Sequence, residues 1–407
     1  MIIEKLGRKF NIHPPPLLTF VNLVTFKKAI ACFKINSKKI NLYKSKVVGD
    51  KIKMFDFDFG GKKVLGIDIG ASTLKIVELE LNSGKPYLSN YAWITIPDIS
   101  QKNKSVGSSY FETAIPEYIR KIIKTGKFKA KKVYVSIPSF GGLITLIDFP
   151  AMTLEDMEQA IKFEAHKYIP TSLDEVVTSW EIIKNEKKEG TANKNVQVLL
   201  VAASKNKILT YEKIIKNSGL KLKGIEMENL AMVDSLVGND LGNFIIVDIG
   251  WRVCNIIYAE KGIIKANRNI DSGGSDITRT IAKSLGITEE KAEMMKVSGD
   301  NFFGVEYNLN FSSLELIIGE ISRIINALPK NENGSQVDAL ILSGGTVKMN
   351  GLEKFIQEKL GVKTILGNPL SRIEYDKKLE PVLEKIKSQF SIALGLALKG
   401  IENLREK

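Results

Sequence analysis

The 407-residue sequence has only two cysteines and two histidines, too few for a zinc ribbon, a haem attachment or a disulfide framework. Cys32 and Cys254 stand far apart with nothing beside either to suggest a pair, which fits a reducing compartment. Long apolar runs are missing too. The most apolar stretch near the start, Leu17 to Phe26, is cut off by Lys27 and Lys28, whereas spanning a bilayer takes about 20 apolar residues. A cleaved secretory leader fits poorly, because Pro14, Pro15 and Pro16 are followed by further lysines. Ordinary shares of hydrophobic (44%) and charged (26%) residues exclude wholesale disorder and fibrous architectures. The length leaves room for two or three packed domains.

Acidic residues are scarce in one place. Residues 1–53 hold 12 lysines and arginines against Glu4 and Asp50, so they carry +10 of the net +13, and the other 354 residues are nearly balanced. A nucleic-acid protein concentrates positive charge on a folded face, so nucleic acid is not an expected partner here. Met54 opens a short stretch that ends just before the first strong strand pattern. Residues 1–53 therefore read as a basic N-terminal extension, either non-native or a tail that touches anionic lipid.

What is present is a repeat. Val64 to Gly70 (VLGIDIG) reads as a buried strand and Leu74 to Leu81 as a strand returning from a short turn. The event recurs 180 residues later, where Phe244 to Gly250 (FIIVDIG) is followed by Cys254 to Glu260, placing Asp248 over Asp68 and Gly250 over Gly70. This spacing predicts a duplicated domain.

In a Rossmann or Walker loop the chain runs from glycines into a helix, whereas here it returns as a strand, so each turn reads as a phosphate-binding hairpin. Gly70 and Gly250 are expected to aim backbone N–H groups at phosphate oxygens, with Ala71, Ser72 and Thr73 completing the first turn. Asp68 and Asp248 suit a magnesium ion held through its waters, and Lys75 suits the β-phosphate. A third glycine site follows the strand Ala339 to Ser343, where Gly344, Gly345 and Thr346 precede an amphipathic helix with Leu352, Phe355, Ile356 and Leu360 on one face. Bare backbone there admits a base and ribose. Between these, Gly273 and Gly274 open a helix from about Ile277, and Glu293 with Lys296 stand at i and i+3, suited to ribose hydroxyls and an adenine face. Taken singly, an Asp-x-Gly turn also reads as a plain tight turn, and Glu293 with Lys296 as a surface ion pair. Their order and spacing together favour the nucleotide reading.

With these residues in place, the chain resembles the actin-like ATPase superfamily, and within it the type IV pilus assembly family of PilM, related to FtsA, over roughly residues 54–407. The carriers are Val64 to Glu78, Phe149 through Val177, Ser343 to Leu352 and the ending Phe390 to Gly400. The resemblance implies an α/β fold of duplicated actin-like (ribonuclease H-like) ATPase domains with an FtsA-type extra subdomain. It places the first domain at 54–241 with the insertion at about 131–203, the second at 242–379, and a C-terminal helix, 380–407, returning to the first. It implies ATP and Mg as cofactors. As partner it implies the cytoplasmic N-terminal tail of a PilN-like membrane protein, within the inner-membrane pilus assembly complex. That makes the chain cytoplasmic and peripheral at the inner membrane, with self-association left open. Two alternatives stand beside it. An FtsA-like division scaffold anchors through a C-terminal amphipathic helix, but Ile401 to Lys407 is too short and too mixed in charge. A metabolic kinase of the superfamily needs a general-base aspartate facing a sugar pocket, and no residue reads as one.

In the middle stretch Thr153 is expected to cap a helix with Leu154, Met157, Ile161, Ala165 and Tyr168 as its buried stripe, stopped by Pro170. A charged loop, 185–194, then leads to the strand Val196 to Ala203 and a helix capped by Ser204. This helix and strand form the expected receptor, which the tail would join as an extended strand at a sheet edge. His166 reads as a surface residue. The second hairpin departs from the family pattern: Trp251 is expected to crowd the γ-phosphate side, and Cys254 stands where a hydroxyl, a stronger donor, is usual. With no residue identified to orient an attacking water, catalytic residues stay unassigned, and ATP binding with slow or absent hydrolysis is the expectation.

Overall fold

The computed structural model describes residues 62–96, 107–150, 152–169, 172–183, 196–307, 309–328 and 337–405. The basic extension 1–53, Met54, Pro170 and the charged loop 185–194 lie outside the described residues, as does the side chain of Leu154. Strand β1 (Lys63–Ile69) is buried along nearly its whole length, as a central strand covered on both faces must be. Strand β2 (Thr73–Asn82) returns antiparallel with Lys75 opposite Asp68, and β3 (Lys85–Thr95) pairs antiparallel with β2. Helix α1 (Gly107–Thr125) then leads to β4 (Lys132–Ile137), parallel to β1.

A small antiparallel sheet follows, built from β5 (Leu143–Phe149), β6 (Val176–Ile183) and β7 (Val196–Ser204) in the order β5-β7-β6. Helix α2 (Leu154–Ala165) covers it with Met157, Ile161 and Ala165, and Thr153 caps the helix by accepting the N–H of Asp156. Three expectations need correcting here. Residues 132–137 do not belong to the small sheet, because their apolar run pairs with β1 in the main one, so the small sheet begins only at Leu143. Tyr168 leaves the buried stripe and is 40% exposed, since the helix ends at Ala165. The strand expected to offer a free edge, β7, is paired on both sides, so the sheet's edges are β5 and β6.

Helix α3 (Lys205–Asn217), strand β8 (Lys221–Met227, parallel to β4) and helix α4 (Glu228–Leu236) lead to the second half. Ser204 stands at the N-cap of α3 without a side-chain cap bond. The second half repeats the first: β9 (Asn243–Ile249), β10 (Cys254–Glu260) and β11 (Ile263–Ile270) form an antiparallel trio, and β12 (Ala339–Ser343) and β13 (Thr364–Leu366) extend it in parallel. The sheet orders are β3-β2-β1-β4-β8 and β11-β10-β9-β12-β13, in each case third, second, first, fourth, fifth. The duplication is therefore one of topology as well as of motif. Helices α5 (Gly274–Leu285), α6 (Glu289–Ser298), α7 (Ser312–Ala327) and α8 (Leu352–Leu360) belong to the second half. Helix α5 starts three residues before the expected Ile277, because Asp276 reaches back to the N–H of Gly273 and fixes the first turn there.

After α9 (Glu380–Ile386), helix α10 (Ser391–Arg405) lies across β1, β2 and β4 and against α4. It is buried from Ser391 to Ala397 and seats backbone against backbone. A Cβ on Gly395 would stand 1.9 Å from the carbonyl oxygen of Ala231 in α4, so only glycine fits. Helix α4 also touches β10 and β11, and β5 touches β11, so α4 is one of the elements on which the two halves meet. Among the described residues, no helix is long and apolar enough to cross a membrane.

Candidate functional site

The ends of the two halves' first strands place Asp68 and Asp248 in one cluster with Lys75 and Glu228. Asp68 is 2% exposed and accepts hydrogen bonds from Lys75 Nζ at 2.8 Å and Ser136 Oγ at 3.4 Å. Burial alone would lower the Lys75 ammonium, but Asp68, with smaller help from Asp248 and Glu228, outweighs it and raises the group above its usual value. Lys75 therefore stays charged. Asp248 is pushed up to about 6, chiefly by burial and also by Asp68, against the lowering effects of a hydrogen bond from Ser343 and the charge of Lys75.

Glu228, which opens α4, was not singled out by the sequence. Its Oε2 accepts from the N–H of Ser139 and from Asn255 Nδ2, each at 3.4 Å. Burial first, then Asp68 and Asp248, push its carboxyl up to about 8. The available signal was its place directly after the last strand of the first sheet, where a buried acidic residue faces whatever lies at the strand's end. Asn255, Asn269 and Asn229 surround this joint with buried side-chain atoms that lack protein partners.

The hairpin glycines act differently from expectation. The N–H of Gly70 donates to Thr73 O at 2.9 Å and that of Gly250 to Val253 O at 3.0 Å, so both close their own turns instead of pointing into the cleft. A Cβ would come within 3.1 Å and 3.0 Å of those same oxygens, so a side chain at either position would press on its own turn. In the first turn the N–H groups of Ala71 and Ser72 have no acceptor among the described residues, while Thr73 starts β2.

The other expected residues converge on the second hairpin. The N–H of Gly274 donates to Gly250 O and that of Ser275 to Trp251 O, each at 2.8 Å, and Thr346 Oγ1 donates to Gly250 O at 3.1 Å. A Cβ on Gly273 would stand 2.8 Å from Gly250 O, and one on Gly274 only 2.3 Å from Thr346 Oγ1, so helix start, hairpin and glycine loop pack on bare backbone. Gly344 adopts a φ of +97° and lies against Ile249, while a Cβ on Gly345 would meet nothing within 4 Å. Gly345 is thus the open floor of that loop. Lys296 is 3% exposed and bonds Gly274 O, Thr278 Oγ1 and Glu293 Oε2. Burial lowers its ammonium below the usual lysine value, partly offset by Glu293.

Cys254 is fully buried in the second half's core, where the alternation of β10 turns it inward but within the field of Asp248. The Trp251 ring lies under Lys296 Nζ, 5.3 Å from the ring centroid.

Chemically, the cluster pairs a permanent cation with two buried carboxylates and free turn N–H groups. That donor set suits an anion accompanied by a hard divalent cation.

A family model described as type IV pilus assembly protein PilM matches residues 66–401. Among solved structures, a PilM–PilN type IV pilus biogenesis complex aligns with a TM-score of 0.70 at 25% identity, over 83% of this chain and 98% of that one. The ethanolamine utilization protein EutJ from Carboxydothermus hydrogenoformans aligns at a TM-score of 0.48 and 16% identity, over 83% and 89% of the two chains. MreB5 of Spiroplasma citri bound to ADP aligns at 0.48 and 12%, over 85% and 99%.

Proposed function

The chain belongs to the type IV pilus assembly protein PilM family, and from that premise we propose that it binds ATP in its cleft and holds the cytoplasmic tail of a PilN-like membrane protein. The pilus assembly role and the actin-like fold come with the family; the nucleotide and the tail are the further step. One observation carries the nucleotide: the duplicated turns bring Asp68, Asp248 and Lys75 within one another's electrostatic field. Asp68 and Asp248 would hold Mg through its waters, and the ion would supply positive charge beside the phosphates. Lys75, Ala71 and Ser72 would face the phosphates, with Glu293, Lys296 and Gly345 on the nucleoside side.

The partner is supported by the PilM–PilN complex, whose PilM aligns over nearly its full length. In this chain β6 offers the edge at which an extended tail gains main-chain hydrogen bonds. Calorimetric titration with Mg-ATP of the wild type, Asp68→Ala and Asp248→Ala tests the site: both variants should bind at least about tenfold more weakly. Unchanged affinity in both removes the phosphate assignment.

A further inference from the structure

Trp251 is the bulkiest residue of the second hairpin's turn. Its backbone is committed, since its carbonyl accepts from Ser275, but its half-buried indole lies beneath Lys296 at cation–π distance. Lys296 is in turn held by Gly274 O, Thr278 Oγ1 and Glu293 Oε2. A flat aromatic ring under a lysine, beside a carboxylate suited to ribose hydroxyls, is the arrangement a bound nucleobase would make with the same residues. Lys296 is only 3% exposed, and the indole lies against its ammonium, where an incoming base would need to stack.

We propose that the Trp251 side chain occupies the nucleoside half of the cleft as an internal stand-in for the base, and that a purine nucleotide binds by displacing it. The inference rests on the nucleotide reading above. It makes Trp251 a residue that sets nucleotide affinity, with no part in the chemistry. Because the indole competes with the ligand for Lys296, shortening it strengthens binding instead of weakening it.

Two measurements test this. Calorimetry with Mg-ATP should show Trp251→Ala binding about threefold to thirtyfold tighter than wild type, the span expected when one partly desolvated cation–π contact no longer competes, with Trp251→Phe in between. A protein carrying Trp93→Phe and Trp180→Phe retains Trp251 as its single tryptophan. Its emission should shift to the red and its acrylamide quenching should rise on Mg-ATP addition, as the indole moves into water. That second measurement needs no change at Trp251, so it stands even if Trp251→Ala folds poorly. Equal or weaker binding by a folded Trp251→Ala, or unchanged quenching in a single-tryptophan protein that binds Mg-ATP, overturns the stand-in role while leaving the nucleotide reading intact. No binding by any of these proteins overturns both.

Discussion

Replacing Glu228 with glutamine should stabilise the protein at neutral pH, and more so as pH rises. The carboxyl is pushed up to about 8 by burial and by Asp68 and Asp248, whereas in the unfolded chain it titrates at about 4.3. Between these values the folded protein keeps a proton that the unfolded chain has released. Stability therefore falls as pH rises through this window, by about 1.4 kcal/mol per pH unit at most. From pH 5 to pH 7.5 the loss amounts to about 3 kcal/mol. Glutamine is neutral throughout and of the same length, so its carbonyl can still accept from Ser139 N–H and Asn255 Nδ2, and the loss disappears. Urea unfolding of both proteins at several pH values measures the difference directly. It should grow by about 3 kcal/mol in favour of Glu228→Gln between pH 5 and pH 7.5. Parallel curves, or a glutamine variant uniformly less stable than wild type, would refute the reasoning that this carboxyl is buried among like charges.

Gly395→Ala should destabilise by about 3 kcal/mol or more, because its Cβ would stand 1.9 Å from Ala231 O in a backbone-to-backbone contact; thermal melting checks it. Thr153→Ala should cost about 1 kcal/mol through loss of the α2 cap, measurable as a lower midpoint in denaturant. The second half grips the small sheet through Lys265 Nζ to Gln197 Oε1 at 2.9 Å and Asn267 Nδ2 to Ile144 O at 3.0 Å. We propose that these contacts couple nucleotide binding in the cleft to tail binding at the small sheet, so the pair Lys265→Ala and Asn267→Ala should weaken that coupling by at least about threefold, while tail affinity without nucleotide changes less; titrations of the tail with and without Mg-ATP separate the two.

What the sequence made legible was whatever local pattern dictates. VLGIDIG and FIIVDIG announce two buried strands ending in an acidic turn, and the shared sheet order bears out the duplication they imply. The α2 cap at Thr153 and the stripe through Met157, Ile161 and Ala165 were readable for the same reason. What escaped depends on tertiary placement. Residues 132–137 pair with β1 and not with the small sheet, β7 is central and not an edge, and Cys254 points into a core. None of these follows from periodicity, because pairing partners and sheet faces are settled by distant strands. Glu228 escaped because its burial and like-charged neighbours arise only when the halves meet on α4. The N–H groups of Gly70 and Gly250 close their own hairpins, and in sequence such a Gly N–H looks the same as one offered to a phosphate.

The central proposal is that this chain holds both a nucleotide and a membrane-protein tail, and that the two sites are coupled. Fluorescence anisotropy of a labelled PilN-like N-terminal peptide of about ten residues, titrated with the protein in the presence and absence of Mg-ATP, measures both parts at once. The account predicts micromolar binding in at least one state and a change in affinity of about fivefold or more between the two, matched by an equal change in ATP affinity when the peptide is present. Peptide binding of the same strength with and without a demonstrably bound nucleotide would contradict the coupling, and absence of peptide binding in both states would contradict the receptor itself.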